Sequence, residues 1–265
     1  MAISPEQKVK AQDAVAMTRH LNKEYQNSQS GRATNPDIKF EHENESAYYT
    51  ARYNGNTYNV LYYANEQHLQ SATFKNDDGS IMTMNRVEGG YTDTRYECDA
   101  NSDGTVDYSF YLEYDDNGNV LRFKEDENGD RKFDYETTNY YENGKLKSKN
   151  SSLRNPETRK LMYETSSKFF GDNPSCGKGE QETTTFYDVN GKKSHETIEF
   201  YDEAGQILER VYNDVEDESL WSKIFGSNGR HYRVEYDHDA KTASYYNSKG
   251  ELTDTKSFEE NNIPL

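Results

Sequence analysis

The chain has 265 residues, a formal net charge of −17 and 23 tyrosines, while Leu, Ile, Val and Phe together supply only 40 residues. That balance makes a phosphate backbone or an anionic membrane a poor partner, because nucleic-acid binding rests on basic patches that neutralise phosphates. Few aliphatic residues and high charge suit a disordered chain, but Tyr carries a large apolar ring with a polar tip and covers a sheet face while its hydroxyl stays wet or bonded. A thin, extended fold with half-exposed tyrosines is therefore expected. No stretch approaches the ~18 consecutive apolar residues of a membrane span, so no membrane insertion is expected. The start, with Lys8, Lys10, Asp13 and Arg19 spread through it, holds no apolar run of signal-peptide type. The two cysteines, Cys98 and Cys176, can pair across a long loop or stand as two inert thiols.

Taken in order, Ser4-Pro5-Glu6-Gln7 reads as a helix start, with Ser as N-cap, Pro in the first turn and Gln three residues after the cap. Val9, Ala11, Val15, Ala16, Met17, Leu21 and Tyr25 recur at roughly helical spacing, which predicts a helix from about Pro5 to Gln26. Its narrow, Ala-rich stripe suits a cap on the open end of a sheet, or else an oligomerisation or docking helix. Asn27 to Pro36 is a linker. From Asp37 the period becomes two. Tyr48 to Tyr53, Thr57 to Tyr63, Leu69 to Lys75 and Ile81 to Val87 read as strands, with turns at Asn54-Gly55 and Asn76 to Gly79. Tyr108, Phe110, Leu112 and Tyr114 fall on one face of a strand, and Ser109, Tyr111 and Glu113 on the other.

Asn150 to Glu182 breaks the pattern with Asn155-Pro156, Asn173-Pro174 and Gly177-Lys178-Gly179, and reads as an irregular insertion around one short strand near Leu161 to Phe169. Turns then resume at Tyr187 to Gly191, Tyr201 to Gly205, Phe225 to Gly229, Tyr236 to Ala240 and Tyr246 to Gly250. An aromatic residue closes each strand, polar residues make the turn, and Gly usually supplies the positive φ. Ile198, Phe200, Ile207, Val211, Trp221, Phe225, Val234 and Tyr245 are the core candidates of this half.

The Tyr-Asp-x-x-Gly turns resemble the tyrosine-aspartate (YD, or RHS-type) repeats of large bacterial surface and toxin proteins, and the hairpin repeats of MORN-like antitoxin families. The resemblance covers about Phe74 to Phe258, leaving out Asn150 to Glu182. It implies extended or wrapping β-sheet.

Two copies of an acidic pattern stand near the middle of the chain. Asp99, Asn101, Asp103 and Asp107 align with Asp126, Asn128, Asp130 and Asp134 at an offset of 27 residues. Oxygen side chains at loop positions one, three, five and nine let a tight loop wrap a hard cation such as Ca²⁺, with the carbonyls of Thr105 and Lys132 at position seven as further ligands. This spacing matches the first half of an EF-hand loop. Phe110 and Thr137 stand where the EF-hand has its bidentate acid. The loops therefore look more like the calcium loops between strands in integrin-type FG-GAP and related bacterial repeats. Arg131 replaces the Gly104 of the first copy, which predicts a weaker or distorted second site, with Gly129 relieving part of the strain. Crowded carboxylates repel without a cation, so binding should also be folding energy.

Signals for catalysis are weak. His195 to Glu199 lacks the second His of a zinc-protease helix and alternates like a strand. His231 and Glu235 suit a surface ion pair. Gly177-Lys178-Gly179 lacks the spacing of a phosphate loop, and the acids beside Cys98 push its thiol the wrong way for a nucleophile.

The sequence thus predicts a mainly β chain, an extended antiparallel β-meander of short hairpins with one N-terminal α-helix. Its parts are a helix and linker (1–36), a β-repeat region with the acidic loops (37–149), an irregular insertion (150–182) and a second β-repeat region continuing the same sheet (183–265). The expected function is that of a non-enzymatic, Ca²⁺-stabilised protein of bacterial surface or secreted type, extracellular, presenting Tyr-rich sheet to a protein or glycan partner and not to nucleic acid. A glycan-processing enzyme with paired carboxylates and a toxin-associated or immunity module are the competing readings.

Overall fold

The structure, a computed structural model, describes residues 3–36, 46–53, 55–65, 68–86, 93–169, 181–202, 204–214, 231–247 and 249–258. Helix α1 (Pro5–Gln29) starts where its capping residues place it. The Ser4 hydroxyl accepts from the Gln7 amide at 3.2 Å, and the Gln7 side chain accepts from the Ser4 amide at 2.9 Å. It runs past the expected Gln26 because Ser30 closes it, donating both its amide (3.1 Å) and its hydroxyl (2.8 Å) to the Gln26 carbonyl.

Sixteen strands follow among the described residues: β1 (Ser46–Tyr53), β2 (Asn56–Asn65), β3 (His68–Asn76), β4 (Ile81–Arg86), β5 (Thr94–Asp99), β6 (Tyr108–Tyr114), β7 (Val120–Asp126), β8 (Tyr135–Glu142), β9 (Lys145–Arg154), β10 (Leu161–Lys168), β11 (Gln181–Tyr187), β12 (Lys193–Tyr201), β13 (Ile207–Asp214), β14 (His231–Asp237), β15 (Thr242–Tyr246) and β16 (Leu252–Ser257). They lie in chain order in one open antiparallel sheet, the meander that the sequence predicts. Within the stretch read as irregular, β10 (Leu161–Lys168) is the short strand expected near Leu161 to Phe169, β9 also runs into that stretch as far as Arg154, and residues 170–180 lie outside the described residues, with Cys176 among them. Trp221, Phe225 and the turn after Phe225 also fall outside.

The repeated turn has one hydrogen-bond scheme. The amide of its first polar residue donates to the carbonyl four residues on, and the glycine amide donates back, at Asn76, Asp115, Asp188, Asp202 and Asn247. The side chain of that first residue stitches the interior. Asp188 Oδ1 accepts from the amides of Asn190 (2.7 Å) and Lys192 (2.9 Å), and Asn247 Oδ1 does the same for Lys249 and Glu251. Glycine at the fourth position takes the left-handed φ that completes a type I turn with a bulge, and the strand pairing shifts register at the tyrosine before four of these turns, Tyr114, Tyr187, Tyr201 and Tyr246, but not at Lys75 before the Asn76 turn.

By internal contacts the chain forms two units, Met1–Glu136 and Thr137–Leu265. In the first, one face of β1 to β7 is apolar row by row. Pairing aligns Ala47, Tyr62, Ala72, Met84, Tyr96 and Phe110 across the sheet, with Glu125 as the last member. The neighbouring row is Tyr49, Val60, Phe74, Met82, Cys98 and Tyr108. Helix α1 lies on this face, packed against β1, β3 and β4, with Ala14, Met17 and Leu21 buried. It covers a face of the sheet and does not cap an end. Tyr96 and Phe110 stack at 4.6 Å in the core that results. Tyr108, Phe110, Leu112 and Tyr114 share this face as the alternation predicts.

The second unit has a smaller apolar cluster of Tyr201, Ile207, Val234, Tyr236, Ala243 and Phe258, with Tyr245 packed against it. Val211 is also buried, whereas Ile198 and Phe200 are only half-buried. Hydroxyls and acids hold much of the remaining sheet: Thr137 with Ser151 at 3.0 Å, Thr165 with Thr184 at 3.2 Å, and Ser167 on Glu182 at 3.0 Å. His195 lies on β12, as its alternation predicts, stacked on Phe186 at 4.4 Å. Among the described residues no helix is long and apolar enough to cross a membrane.

Candidate metal centre

The two acidic loops follow β5 and β7 and fold alike but for one contact: beside the position-six amide, the first Asp accepts the position-five amide in the first loop and the position-four amide in the second. In the first, Asp99 accepts the amides of Asp103 (3.1 Å) and Gly104 (2.8 Å), Asn101 Oδ1 that of Asp103 (3.0 Å), Asp103 Oδ1 that of Thr105 (2.8 Å), and Asp107 Oδ2 that of Ala100 (3.0 Å). In the second, Asp126 accepts the amides of Gly129 (2.8 Å) and Arg131 (2.7 Å), Asn128 that of Asp130 (3.0 Å), Asp130 that of Lys132 (2.8 Å), and Asp134 that of Glu127 (2.8 Å). Each loop closes with the amide of its last Asp on the carbonyl of the residue before its first, Asp107 on Cys98 at 2.8 Å and Asp134 on Glu125 at 2.7 Å.

The backbone repeats as well. Positions four and six are left-handed in both loops: Ser102 (φ 60°) and Gly104 (φ 85°), then Gly129 (φ 73°) and Arg131 (φ 67°). Arg131 therefore adopts the conformation that Gly104 adopts at less cost, and the hydrogen-bond scheme around it stays intact. Gly129 has a second reason to be glycine. A Cβ there would stand 2.0 Å from the Val106 carbonyl oxygen, because the second loop presses onto the backbone of the first. Ser102 in turn donates its hydroxyl to the Gly79 carbonyl of the preceding turn, so turn, loop and loop are in contact one after another.

Exposure separates the ligand candidates into a rim and a base. Asn101, Asp103, Thr105, Asn128, Asp130 and Lys132 are exposed, while Asp107, Asp126 and Asp134 are buried. The Thr105 amide and hydroxyl, with Asn101, hold the Asp103 carboxyl below the usual carboxylate range. Ser109, the cross-strand partner of Asp126, is buried with no hydrogen-bond partner for its Oγ. The places of an EF-hand's last acid belong to the sheet, since Phe110 is in the core and Thr137 is buried against Ser151. Among the described residues no three His, Cys, Asp or Glu side chains are gathered closely enough to hold a metal ion. The donors still suit a hard cation. All are oxygens, and a carboxylate oxygen that accepts one amide keeps a second lone pair.

Sequence reasoning missed the tie between these loops and the helix start. Gln7 Nε2 donates to the Ala100 carbonyl at 3.2 Å in the first loop. Lys8 Nζ reaches Glu125 at 2.6 Å and Glu127 at 3.1 Å beside the second. Glu125 is buried and also accepts from the Tyr108 hydroxyl at 2.6 Å. Burial alone would lower the Lys8 pKa, but Glu125 and Glu127 outweigh it and the net direction is up. Alternation already put Glu125 on the apolar face, which demands a partner for a buried charge. Nothing local named Lys8 as that partner.

Cys98 occupies in the first repeat the position of Glu125 in the second. It is a buried free thiol, and burial with the nearby Asp107, Asp99 and Asp78 pushes its pKa up to about 12. That is the direction expected for an inert sulfur. Glu235 on β14 accepts from Tyr246 at 2.8 Å and pairs with Arg233 at 3.1 Å, and the His231 side chain lies outside the described residues. Comparison with protein-family models and with curated proteins yields no match.

Proposed function

We propose that this is a non-enzymatic, Ca²⁺-stabilised β-hairpin repeat protein of bacterial surface or secreted type, akin to the YD and MORN-like repeats, that presents its sheet to a protein or glycan partner. The observation carrying it is the second acidic loop, which repeats four of the first loop's five side-chain-to-amide contacts at a distance of 27 residues. An ordinary solvated turn does not require buried carboxylates at its base, and Asp107, Asp126 and Asp134 are buried. Asp99, Asn101, Asp103, Asp107 and the Thr105 carbonyl would hold one ion. Asp126, Asn128, Asp130, Asp134 and the Lys132 carbonyl would hold the other. The ion would supply the positive charge that lets three carboxylates share a loop. For the partner, the face of the first unit opposite the helix offers exposed Tyr48, Leu61 and Tyr63 on neighbouring strands. Tyr gives contact area at low entropic cost.

Thermal melting with Ca²⁺, Mg²⁺ and a chelator tests the proposal. Calcium at about ten times its dissociation constant should raise Tm by roughly 3–6 °C, and Asp103→Ala should remove the first site's share. A Tm indifferent to all three additions would end the calcium reading.

A further inference from the structure

A cavity of about 370 Å³ opens beside α1 in the first unit, at the end of β5 opposite the first acidic loop. In a chain of net charge −17, its described lining holds two arginines, Arg19 and Arg86, and no acid. Thr18, Thr94 and Tyr96 are its buried members, and Arg19 is exposed at the rim.

The arginines are held in place. Arg86 Nε donates to the Leu69 carbonyl, and the Leu69 amide donates to Asn22 Oδ1 at 3.1 Å, so one backbone residue anchors two members of the wall. The Arg19 guanidinium lies over the Tyr114 ring at 5.7 Å. Burial pushes the Arg86 pKa down, countered by the neighbouring Tyr96 and Tyr114. Two guanidinium groups at one cavity, beside hydroxyls and aromatic rings, suit an anion that brings its own oxygens.

We propose that this cavity binds a small organic oxyanion, a carboxylate or phosphate carried on a hydroxylated body of monosaccharide size. Guanidinium forks pair with the oxygens of either group. Tyr96 and Tyr114 line the cavity with Val15, and Thr18, Thr94 and Asn22 stand beside them. The volume lies toward the small end of ligand sites, which run from about 300 to 1,000 Å³. The site is separate from the acidic loops and does not depend on calcium.

Calorimetric titration of the full chain at low ionic strength with D-glucuronate, D-glucose 6-phosphate and D-glucose decides the matter. At least one anion should bind one to one and at least tenfold more tightly than glucose, and which one does so separates a carboxylate source from a phosphate source. Arg86→Gln should weaken that binding at least tenfold, and Arg19→Gln several-fold. If circular dichroism shows that Arg86→Gln fails to fold, the exposed Arg19→Gln decides alone. Neither anion binding better than glucose, or binding unchanged in the folded variants, would overturn the proposal.

Discussion

The two units use the same hairpin and bury it differently. In the first, α1 supplies a second layer, so Tyr58, Val60, Tyr62, Phe74 and Met84 lose almost all solvent contact. In the second, no helix is present among the described residues, apolar burial gathers near Tyr236 and Phe258, and β8 to β11 contribute buried Thr137, Ser151 and Ser167. Turn chemistry is thus enough to set the meander in both, whereas core thickness depends on one amphipathic helix at the chain start. A sheet without a second layer has little apolar burial with which to offset chain entropy. Among its described residues the second unit adds polar pairs such as Tyr187 with Glu164 (2.6 Å) and Arg210 with Glu199 (2.6 Å).

The contrast is tested most severely by truncating one phenylalanine in each unit. Phe74, fully buried between Val60 and Met82 in its row, should cost about 3–5 kcal/mol when changed to Ala. Phe200→Ala, at a half-buried site, should cost about 1–2 kcal/mol, from partial loss of side-chain burial. Urea unfolding of each variant measures the costs. Equal losses would mean that the second unit hides a core which its described residues do not account for.

Within the first unit, a smaller effect separates close approach from backbone strain. Gly129 and Gly118 both have positive φ, 73° and 82°, but a Cβ on Gly118 meets nothing within 4 Å. Ser102 occupies the position of Gly129 in the first loop at φ 60°, so φ alone does not require glycine there. Gly118→Ala should therefore cost about 1 kcal/mol, and Gly129→Ala about 3 kcal/mol, because it adds a backbone clash to a strained φ. Denaturation midpoints that fell together would show that the second loop can lift off the first without penalty.

What the sequence disclosed follows the range of the forces involved. The Ser4–Gln7 capping box, the Asp188 to Gly191 turn and the alternation from Tyr108 to Tyr114 all rest on residues within a few positions of one another, and each was legible. The acidic loops were legible as loops for the same reason, since every amide that Asp99 accepts lies within five residues. The fit of loop on loop at Gly129, the reach of Lys8 to Glu125 and the seat of the helix on β3 are set by packing across the sheet, which no local spacing encodes. β10 was legible as the short strand near Leu161 to Phe169, whereas the run of β9 to Arg154 escaped for a different reason. Its Ser and Lys residues show no apolar alternation, and the buried Ser151 pairs with Thr137 on β8.

The smallest effect expected concerns acid, and it should touch both units alike. Hydrogen bonds to neighbouring residues lower the carboxyl pKa of Asp115, led by the Asn119 side chain, and that of Asp188, led by the Lys192 amide. A carboxyl whose folded pKa lies below its unfolded value, about 3.9 for Asp, adds stability above that value and loses it as pH falls through the folded one. Tm should therefore be flat from about pH 7 to pH 5 as far as these turns decide it, and should fall below about pH 4. Asn76 and Asn247 occupy the same turn position with an uncharged oxygen, and Asn247 makes the same amide contacts as Asp188. Asp188→Asn should then shift Tm by only about 1 °C or less at pH 7 and remove that turn's share of the acid loss. Melting curves of the two proteins at pH 7 and pH 3 measure both quantities. If the variant lost as much as the parent between those values, the turn carboxylates would not be the source of acid sensitivity, and the buried base of the acidic loops at Asp107, Asp126 and Asp134 would be the next group to replace.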